Sequence, residues 1–291
     1  MKKIVLSIAL VLGIVGAYAQ ETSGGMTSKK GEAYLPQSGD WALGIEARPF
    51  LDYAGNFFGK TGPNVSPSWN AANAMALTAK MFKDDKTAYR AVIGLNMGSN
   101  HWSNYVYDDQ PGIASPDLNK RVEDTKKVST SGITLGGGME MRKGSTRLQG
   151  YYGGMAKITL GGGSKTTSTY GNNMDLINNN NPTSTTDWNN PGSPTQATSR
   201  TVSAKVGGTF GFGLMGFIGA EYFVLPKISI GAEYTWGISM SSTGEGETVT
   251  QQTNVLGTAI ENSTSKTGKS GSFSIGNGIG YASLTMNLHF Q

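Results

Sequence analysis

Eight segments of this 291-residue chain alternate between apolar residues and small or polar residues. In the fourth segment, Ile133, Leu135 and Met139 share one face, and Thr134 and Glu140 share the other. A period of two is typical of a β-strand whose two faces meet different environments. The segments are residues 41–48, 75–81, 89–98, 133–142, 148–158, 210–222, 228–238 and 282–290.

The connections between these segments alternate in length. Short turns occupy residues 84–86, 144–145 and 225–227, and long polar connections occupy residues 52–73, 99–130, 161–200 and 241–271. Outer-membrane barrels have short periplasmic turns and long extracellular loops. We therefore predict an all-β fold over residues 40–291, a transmembrane antiparallel up-and-down β-barrel of eight strands with both termini in the periplasm.

A soluble β-sandwich is the main alternative, because its strands also alternate. Its strands usually run about 5–6 residues, whereas a membrane strand needs about 9–11, and most of the segments here exceed the shorter length. Unstructured loops beyond about 12–15 residues are also uncommon in compact soluble domains. The membrane barrel is therefore favoured.

The N-terminus has the pattern of a secretory signal peptide. Lys2 and Lys3 precede an apolar run over residues 4–15, and Ala17-Tyr18-Ala19 supplies a cleavage site before Gln20. The run is shorter than the ~20 residues of a spanning helix. We predict residues 1–19 as a cleaved signal peptide and residues 20–39 as a flexible periplasmic leader. The chain has no cysteine, which excludes a lipoprotein anchor and disulfides.

The composition agrees with a barrel and argues against nucleic-acid binding. The chain has 42 glycines and only 15% charged residues, compared with about 25% in soluble domains, and glycine lets strands bend around a closed sheet. Removing Lys2 and Lys3 from the 24 basic residues leaves 22 against 20 acidic residues. The mature chain is thus nearly neutral, and no basic run is long enough to follow a phosphate backbone.

Residues 219–237 read Gly-Ala-Glu-Tyr-Phe-Val-Leu-Pro-Lys-Ile-Ser-Ile-Gly-Ala-Glu-Tyr-Thr-Trp-Gly. This hairpin resembles the outer-membrane β-barrel family widespread in Bacteroidetes, whose members carry a similar E-Y-x-x-x-P-K-x-S-x-G-x-E segment. The resemblance covers about nineteen residues, and the rest of the chain agrees by pattern only. It implies a small OmpA/OmpX-like barrel, often of unassigned function. Barrel-assembly signals usually end on an aromatic residue, and we expect Phe290 to serve although Gln291 follows it.

The faces predicted to point inward collect charged residues. An eight-stranded barrel has an interior just wide enough for side chains to fill, and buried charges must pair. The favoured interpretation is a salt-bridged plug, and the alternative is a narrow ion path gated by rearranged pairs. This predicted lumen charge network is Glu46, Arg48, Lys80, Arg90, Glu140, Arg142, Lys157, Glu221 and Glu233.

Glu221 and Glu233 are equidistant from Lys227 in the third short turn. A hairpin centred on Lys227 would bring the two carboxylates face to face inside the barrel, where they would repel. We therefore predict that Arg48, Lys80, Arg90 or Arg142 lies against them.

The sequence gives little support for an enzyme or a cofactor. His101 and His289 are the only histidines, and neither follows a nucleophile motif. The chain has no histidine pair at metal-ligand spacing, and the G-F-G and G-N-G runs do not precede a predicted helix. We predict no catalytic residues, no metal and no cofactor.

The long connections are the expected location of any binding function, because loops on a rigid scaffold commonly carry it. Residues 178–200 are rich in Asn, Thr, Ser and Pro, which predicts a mobile, solvated segment. Trp102, Tyr105 and Tyr107 are candidates for contacting a ligand. Aromatic residues predicted near the membrane interfaces are Trp41, Phe50, Tyr53, Phe82, Tyr89, Tyr222, Trp236 and Phe290.

The leading functional hypothesis is a non-enzymatic outer-membrane barrel with a structural or surface-interaction role. The alternatives are a small pore or transport-associated component and, less favoured, a lipid-modifying enzyme. The expected partners are outer-membrane lipid and lipopolysaccharide, the barrel-assembly machinery and an unidentified protein or surface ligand.

Overall fold

A computed structural model describes residues 26–47, 52–53, 58, 76–109, 117–276 and 282–290. Every strand pairing in it is antiparallel, which confirms the all-β antiparallel prediction. None of the helical residues in these ranges belongs to a helix long and apolar enough to cross a membrane.

The strands are β1 (Trp41–Glu46), β2 (Ala76–Phe82), β3 (Thr87–Asp108), β4 (Asp117–Lys143), β5 (Leu148–Thr169), β6 (Thr183–Ser184), β7 (Thr195–Gln196), β8 (Ser199–Lys205), β9 (Thr209–Leu225), β10 (Ile228–Thr243), β11 (Gly246–Thr253), β12 (Ile260–Thr267), β13 (Ser270–Gly276) and β14 (Ala282–Phe290).

Eight strands pair in a closed circuit, which we call the ring. Its order is β1-β2-β3-β4-β5-β9-β10-β14 and back to β1. Trp41 of β1 closes the circuit, since it pairs with Met81 of β2 on one side and Phe290 of β14 on the other. Each of the eight alternating segments of the sequence coincides with one strand of the ring.

The described residues contain fourteen strands rather than eight, because three of the long connections contain paired strand residues of their own. The β3–β4 hairpin continues far beyond the ring, and β8, β11 and β12 add a sheet extension beside β5. Residues 99–130, 161–200 and 241–271, predicted as long polar connections between eight strands, thus contain additional strand residues. Threonine-rich strands pair well even when both faces are polar, but the alternation that identifies strands in a sequence then disappears. The connection at 52–73 lies mostly outside the described residues.

The three short turns lie together at one end of the ring, which we call the turn end. They join β2 to β3, β4 to β5 and β9 to β10, as the sequence predicted. In the first of them the Lys86 amide donates to Asp84 Oδ1 at 2.8 Å. This hydrogen bond holds the pKa of the Asp84 carboxyl below its ordinary value.

The ring reverses the usual distribution of polar and apolar side chains. On β3, Arg90 is 7% exposed and Ile93 is 47% exposed; on β9, Glu221 is 0% exposed and Ile218 is 63% exposed. Soluble proteins almost never bury unpaired charges and rarely expose a continuous apolar surface. Here the apolar surface follows the outward face of the ring strands and the charges lie inside.

Several predicted interface aromatics do face outward. Trp41 stacks on Phe290 with ring centroids 4.2 Å apart, and Tyr89 and Tyr222 are exposed near the turn end. The prediction for Phe82 is wrong, because Phe82 is buried in the interior. Its even position on β2 puts it on the same face as Lys80 rather than with the outward Met81. Phe50 lies outside the described residues.

The described part of the leader contacts the turn end. The Gly39 amide donates to the Phe82 carbonyl and Ser38 Oγ donates to the Lys83 carbonyl, both at 2.8 Å. The Arg147 guanidinium lies 4.5 Å from the centre of the Tyr34 ring. The predicted signal peptide, residues 1–19, lies outside the described residues.

Gly138 lies on the inward face of β4, at a position where there is no room for a side chain. A Cβ there would lie well inside contact distance of the Gly154 carbonyl oxygen and 2.6 Å from the Met155 Cβ, whereas a Cβ on the adjacent, outward Gly137 would meet nothing within 4 Å. We expect Gly138→Ala to destabilise the protein by about 1–3 kcal/mol through overpacking. Urea unfolding in detergent micelles measures this, with Gly137→Ala as the matched control. Equal unfolding midpoints for the two variants would contradict the close approach of β4 and β5.

Candidate functional site

Six charged side chains fill the interior of the ring near its turn end, each at most 9% exposed. Strand alternation puts them all on the face opposite the exposed apolar residues. Three cations face three carboxylates, so the group is neutral overall. This interior charge cluster consists of Lys80 of β2, Arg90 of β3, Glu140 and Arg142 of β4, Glu221 of β9 and Glu233 of β10.

Glu140 is the centre of the interior charge cluster. Its Oε1 lies 2.6 Å from Arg142 Nη1, and its Oε2 lies 3.2 Å from Lys80 Nζ and 3.6 Å from Arg90 Nε. Lys80 and Arg90 face each other in the register of β2 and β3, where two like charges alone would repel. The carboxylate of Glu140 offsets that repulsion by contacting both cations.

The two glutamates of the third hairpin each contact a cation. Glu221 Oε2 lies 2.8 Å from Arg142 Nη1 and 3.2 Å from Lys80 Nζ. Glu233 Oε2 lies 2.7 Å from Arg90 Nη1. Three of the four cations that the sequence nominated therefore lie against this pair.

Glu221 and Glu233 do not face each other, however, so that part of the prediction is wrong. Glu221 pairs with Gly231, and Glu233 pairs with Gly219. Leu225 pairs with Ile228, so the turn is centred between Pro226 and Lys227 rather than on Lys227. The register shift between Ile228 and Ser229 then moves the two carboxylates further apart along the hairpin.

The other two described residues of the predicted network, Glu46 and Lys157, lie on the inward faces of β1 and β5, outside the interior charge cluster. Glu46 is half-buried and accepts a hydrogen bond from the Leu284 amide at 3.4 Å. Lys157 is half-buried on the inward face of β5; it faces Gly136 of β4 in the register and lies within electrostatic range of Glu233 and Arg90. Arg48 lies outside the described residues.

Three buried polar residues outside the predicted lumen charge network surround Glu221. Ser229 Oγ and Asn287 Nδ2 both donate to Glu221 Oε1, at 2.5 Å and 2.7 Å. His289 Nε2 lies 2.9 Å from Ser229 Oγ. The alternation of the sequence already predicts that all three face inward. Their contact with one another depends on the register in which Ser229 pairs with Asn287, which the sequence does not show.

The combination of serine, histidine and glutamate does not have the geometry of a catalytic triad. In such a triad one ring nitrogen contacts the nucleophile and the other contacts the acid. Here His289 Nε2 lies near both Ser229 Oγ and Glu221 Oε1, at 2.9 and 3.5 Å. Its Nδ1 has no hydrogen-bond partner among the described residues. The arrangement ties β9, β10 and β14 together.

An apolar layer lies beside the interior charge cluster and fills more of the interior. The Arg90 guanidinium lies 4.2 Å from the centre of the Phe217 ring, and Lys80 Nζ lies 4.9 Å from the centre of the Tyr151 ring. Both contacts add to the pairing of these cations. The layer consists of Val92, Tyr151, Met155, Met215 and Phe217.

At the opposite end, residues 170–197 fold into a compact segment that includes β6 and β7, which we call the cap. Two buried aspartates hold it against the β3–β4 hairpin. Asp124 of β4 accepts from the Thr185 amide at 2.7 Å and the Gly171 amide at 2.9 Å. Asp109 accepts from the amide and the hydroxyl of Thr183, at 2.5 and 2.8 Å.

Further hydrogen bonds connect the cap to β3 and to β8 of the sheet extension. Asn172 donates to the Tyr107 carbonyl at 2.7 Å, and Arg200 donates to the Asn172 carbonyl at 2.7 Å and to Ser184 Oγ at 3.1 Å. The amides of Asn178 and Ile177 lower the pKa of the exposed Asp175 carboxyl. The segment predicted to be loose and solvated is thus built around buried polar contacts.

The three aromatic residues nominated for ligand contact do not form one surface. Trp102 shares a face of β3 with Asn104, which donates to Thr185 of the cap at 2.9 Å. Tyr105 and Tyr107 occupy the opposite face, because their positions differ from Trp102 by an odd number. Tyr105 is 62% exposed and Trp102 is 40% exposed.

Within the described ranges, no group of three His, Cys, Asp or Glu side chains is positioned to hold a metal ion. No protein-family model matches the chain, and no curated protein matches it. Among solved structures it is similar to the outer membrane protein OprG from Pseudomonas aeruginosa, with 9% identity and a TM-score of 0.33. That match covers 89% of this chain and 99% of the other. A likeness of that size assigns no function.

Proposed function

We infer that this chain is an integral outer-membrane protein, an eight-stranded transmembrane barrel that serves a structural or surface-interaction role. The observation that carries the proposal is the reversed distribution of side chains on the ring. Exposed outward residues such as Leu135, Leu160 and Phe210 would be costly in water, whereas in a bilayer they contact hydrocarbon.

The size of the apolar surface supports a bilayer as its solvent. On β5 the outward apolar residues extend from Leu148 to Leu160. A transmembrane strand needs about 9–11 residues, so this stretch is long enough to cross. A closed ring also leaves no unpaired strand edge in lipid, as the absence of water there requires.

The lengths of the connections give the orientation. Short turns face the periplasm and long extensions face outside in bacterial barrels. The turn end and the leader would then lie in the periplasm, and the sheet extension and the cap would lie outside the cell. This orientation agrees with export through a cleaved signal peptide.

The filled interior favours a structural or surface role over conduction. The interior charge cluster pairs three cations with three carboxylates, and an apolar layer packs beside it. A conducting path would require these buried pairs to separate, and separating them is costly. The geometry at Ser229 and His289 likewise favours a non-enzymatic role. The cap, held by buried hydrogen bonds, offers a defined surface to a partner.

Single cysteines test this proposal cleanly, because the chain has none of its own. We expect a charged, membrane-impermeant maleimide to label Ser193→Cys in the cap on intact Gram-negative cells. Lys86→Cys in the first turn should react only after the outer membrane is permeabilised. Leu135→Cys should react in neither case, since lipid covers it.

Gly192→Cys, next to Ser193 and also exposed, is the matched control for the outside position. Labelling of Leu135→Cys at the rate of Ser193→Cys would mean that water reaches the outward face, and the membrane proposal would be wrong. Labelling of Lys86→Cys on intact cells would instead show that the turn end lies outside the cell, the reverse of the proposed orientation.

A further inference from the structure

Four lysines lie close together on the outward face of the sheet extension, on neighbouring strands. Lys165 of β5 pairs directly with Lys205 of β8, Lys205 pairs with Glu247 of β11, and Glu247 pairs with Lys266 of β12. Directly paired residues of an antiparallel sheet share a face, and all four are exposed. Lys127 of β4 lies one row further along, paired with Thr167. We call the four lysines the basic row.

The pairing of Lys165 with Lys205 is unfavourable by itself. Like charges directly opposite each other destabilise a sheet. Within the described part of the chain, neither lysine forms an ion pair. Glu247 is the one acidic residue paired directly with lysines of the basic row, so the four lysines keep a clear excess of positive charge. An anion bound between Lys165 and Lys205 would offset their repulsion.

The basic row lies just beyond the apolar surface. On β4, Ser129 pairs with Lys165 and Ile133 pairs with Leu160. The row is therefore four residues of β4 above the last outward apolar pair, which is about 10 Å for a strand tilted by ~40°. The headgroup region begins at that boundary, and the flexible lysine stems let the ammonium groups reach down into it.

We propose that the basic row binds the phosphate groups of an anionic glycolipid of the outer leaflet, of the lipopolysaccharide class. The proposal rests on the outer-membrane function inferred above, which puts the row at the outer headgroup level. Lysine ammonium groups bind phosphate as point charges, and the outward orientation of the row presents them to lipid rather than to the interior. Lys165 and Lys205 are the central pair, and Lys127 and Lys266 flank them.

Native mass spectrometry of the full chain in detergent micelles tests the site with defined probes. The probes are diphosphoryl lipid A, monophosphoryl lipid A with the same acyl chains, and phosphatidylethanolamine. We expect the unmodified chain to prefer the diphosphoryl probe. In the Lys165→Gln/Lys205→Gln variant, its affinity should fall about thirtyfold. Lys143→Gln/Lys227→Gln, which removes two exposed lysines at the turn end, should leave the affinity unchanged.

The outcomes separate this inference from the inferred function. Insertion of every variant into lipid vesicles is measured first, by the heat-dependent mobility of the folded protein on gels. Failure of the unmodified chain to insert would overturn the outer-membrane function. Normal insertion with equal lipid A binding by the Lys165→Gln/Lys205→Gln variant would overturn only the phosphate site. Equal affinity for phosphatidylethanolamine, or displacement of lipid A by millimolar inorganic phosphate, would also overturn it.

Discussion

Replacing Glu140 by glutamine is expected to destabilise the protein by about 3–5 kcal/mol, because it leaves a buried cation uncompensated. Glu140 is 0% exposed and contacts Lys80, Arg90 and Arg142. After the change, three interior cations face only two carboxylates. The measurement is the urea midpoint of the protein refolded in vesicles, followed by tryptophan fluorescence.

The control for Glu140→Gln is Glu247→Gln, which removes the same charge from an exposed position on β11. Its effect should stay within about 0.5 kcal/mol, as for ordinary surface substitutions. Comparable urea midpoints for the two variants would contradict the assignment of Glu140 as the centre of the cluster.

A charge-balanced variant keeps the prediction testable if Glu140→Gln does not fold. Combining Glu140→Gln with Lys80→Met removes one cation together with the carboxylate. The interior then contains Arg90 and Arg142 against Glu221 and Glu233. Because replacing a buried ion pair by apolar groups is often neutral, the double variant should recover much of the lost stability.

The alternation of the sequence predicted the ring strands and the direction of their side chains correctly at many positions. Ile93 and Arg90 of β3 face outward and inward as their spacing indicates. One residue was assigned to the wrong face because its odd or even position along the strand was not considered. Phe82 was assigned to a lipid interface, although its even position on β2 puts it inside with Lys80.

Register could not be read from the sequence. The positions of Glu221 and Glu233 suggested a symmetric hairpin, but an irregularity at Ile228 and Ser229 shifts the pairing. The contact of His289 with Ser229 depends on the register between β10 and β14, which are far apart in the sequence. Alternation in the sequence predicts which face of a strand a residue occupies. Which residues contact each other depends on the pairing between distant strands, which alternation does not determine.

The cap was missed for a different physical reason. Its stability comes from buried hydrogen bonds between polar side chains and backbone amides, not from an apolar face. A stretch rich in Asn, Thr and Ser has the composition of a disordered loop until its partners are known. Asp109 and Asp124 are those partners, and neither stands out in the sequence.

Replacing Asp124 by alanine is therefore expected to release the cap while leaving the ring folded. The change removes a fully buried carboxylate that accepts from the amides of Gly171 and Thr185. Hydrogen bonds to a charged group are worth about 1.5–3 kcal/mol each, so the opening free energy of the cap should fall by about 3 kcal/mol.

Hydrogen exchange measures the effect of Asp124→Ala directly. Amides of residues 171–185 should exchange over a hundredfold faster, because each 1.4 kcal/mol corresponds to a factor of about ten. The urea midpoint of the ring should change little, since the paired residues of β1, β2 and β14 lie far from this contact in the register. The matched control is Asp187→Ala, which changes an exposed cap residue that accepts a hydrogen bond from the nearby Asn189 amide. Unchanged protection of the Thr185 amide in Asp124→Ala would show that the cap is held by other contacts, and a lowered urea midpoint would show that the cap and the ring unfold as one unit.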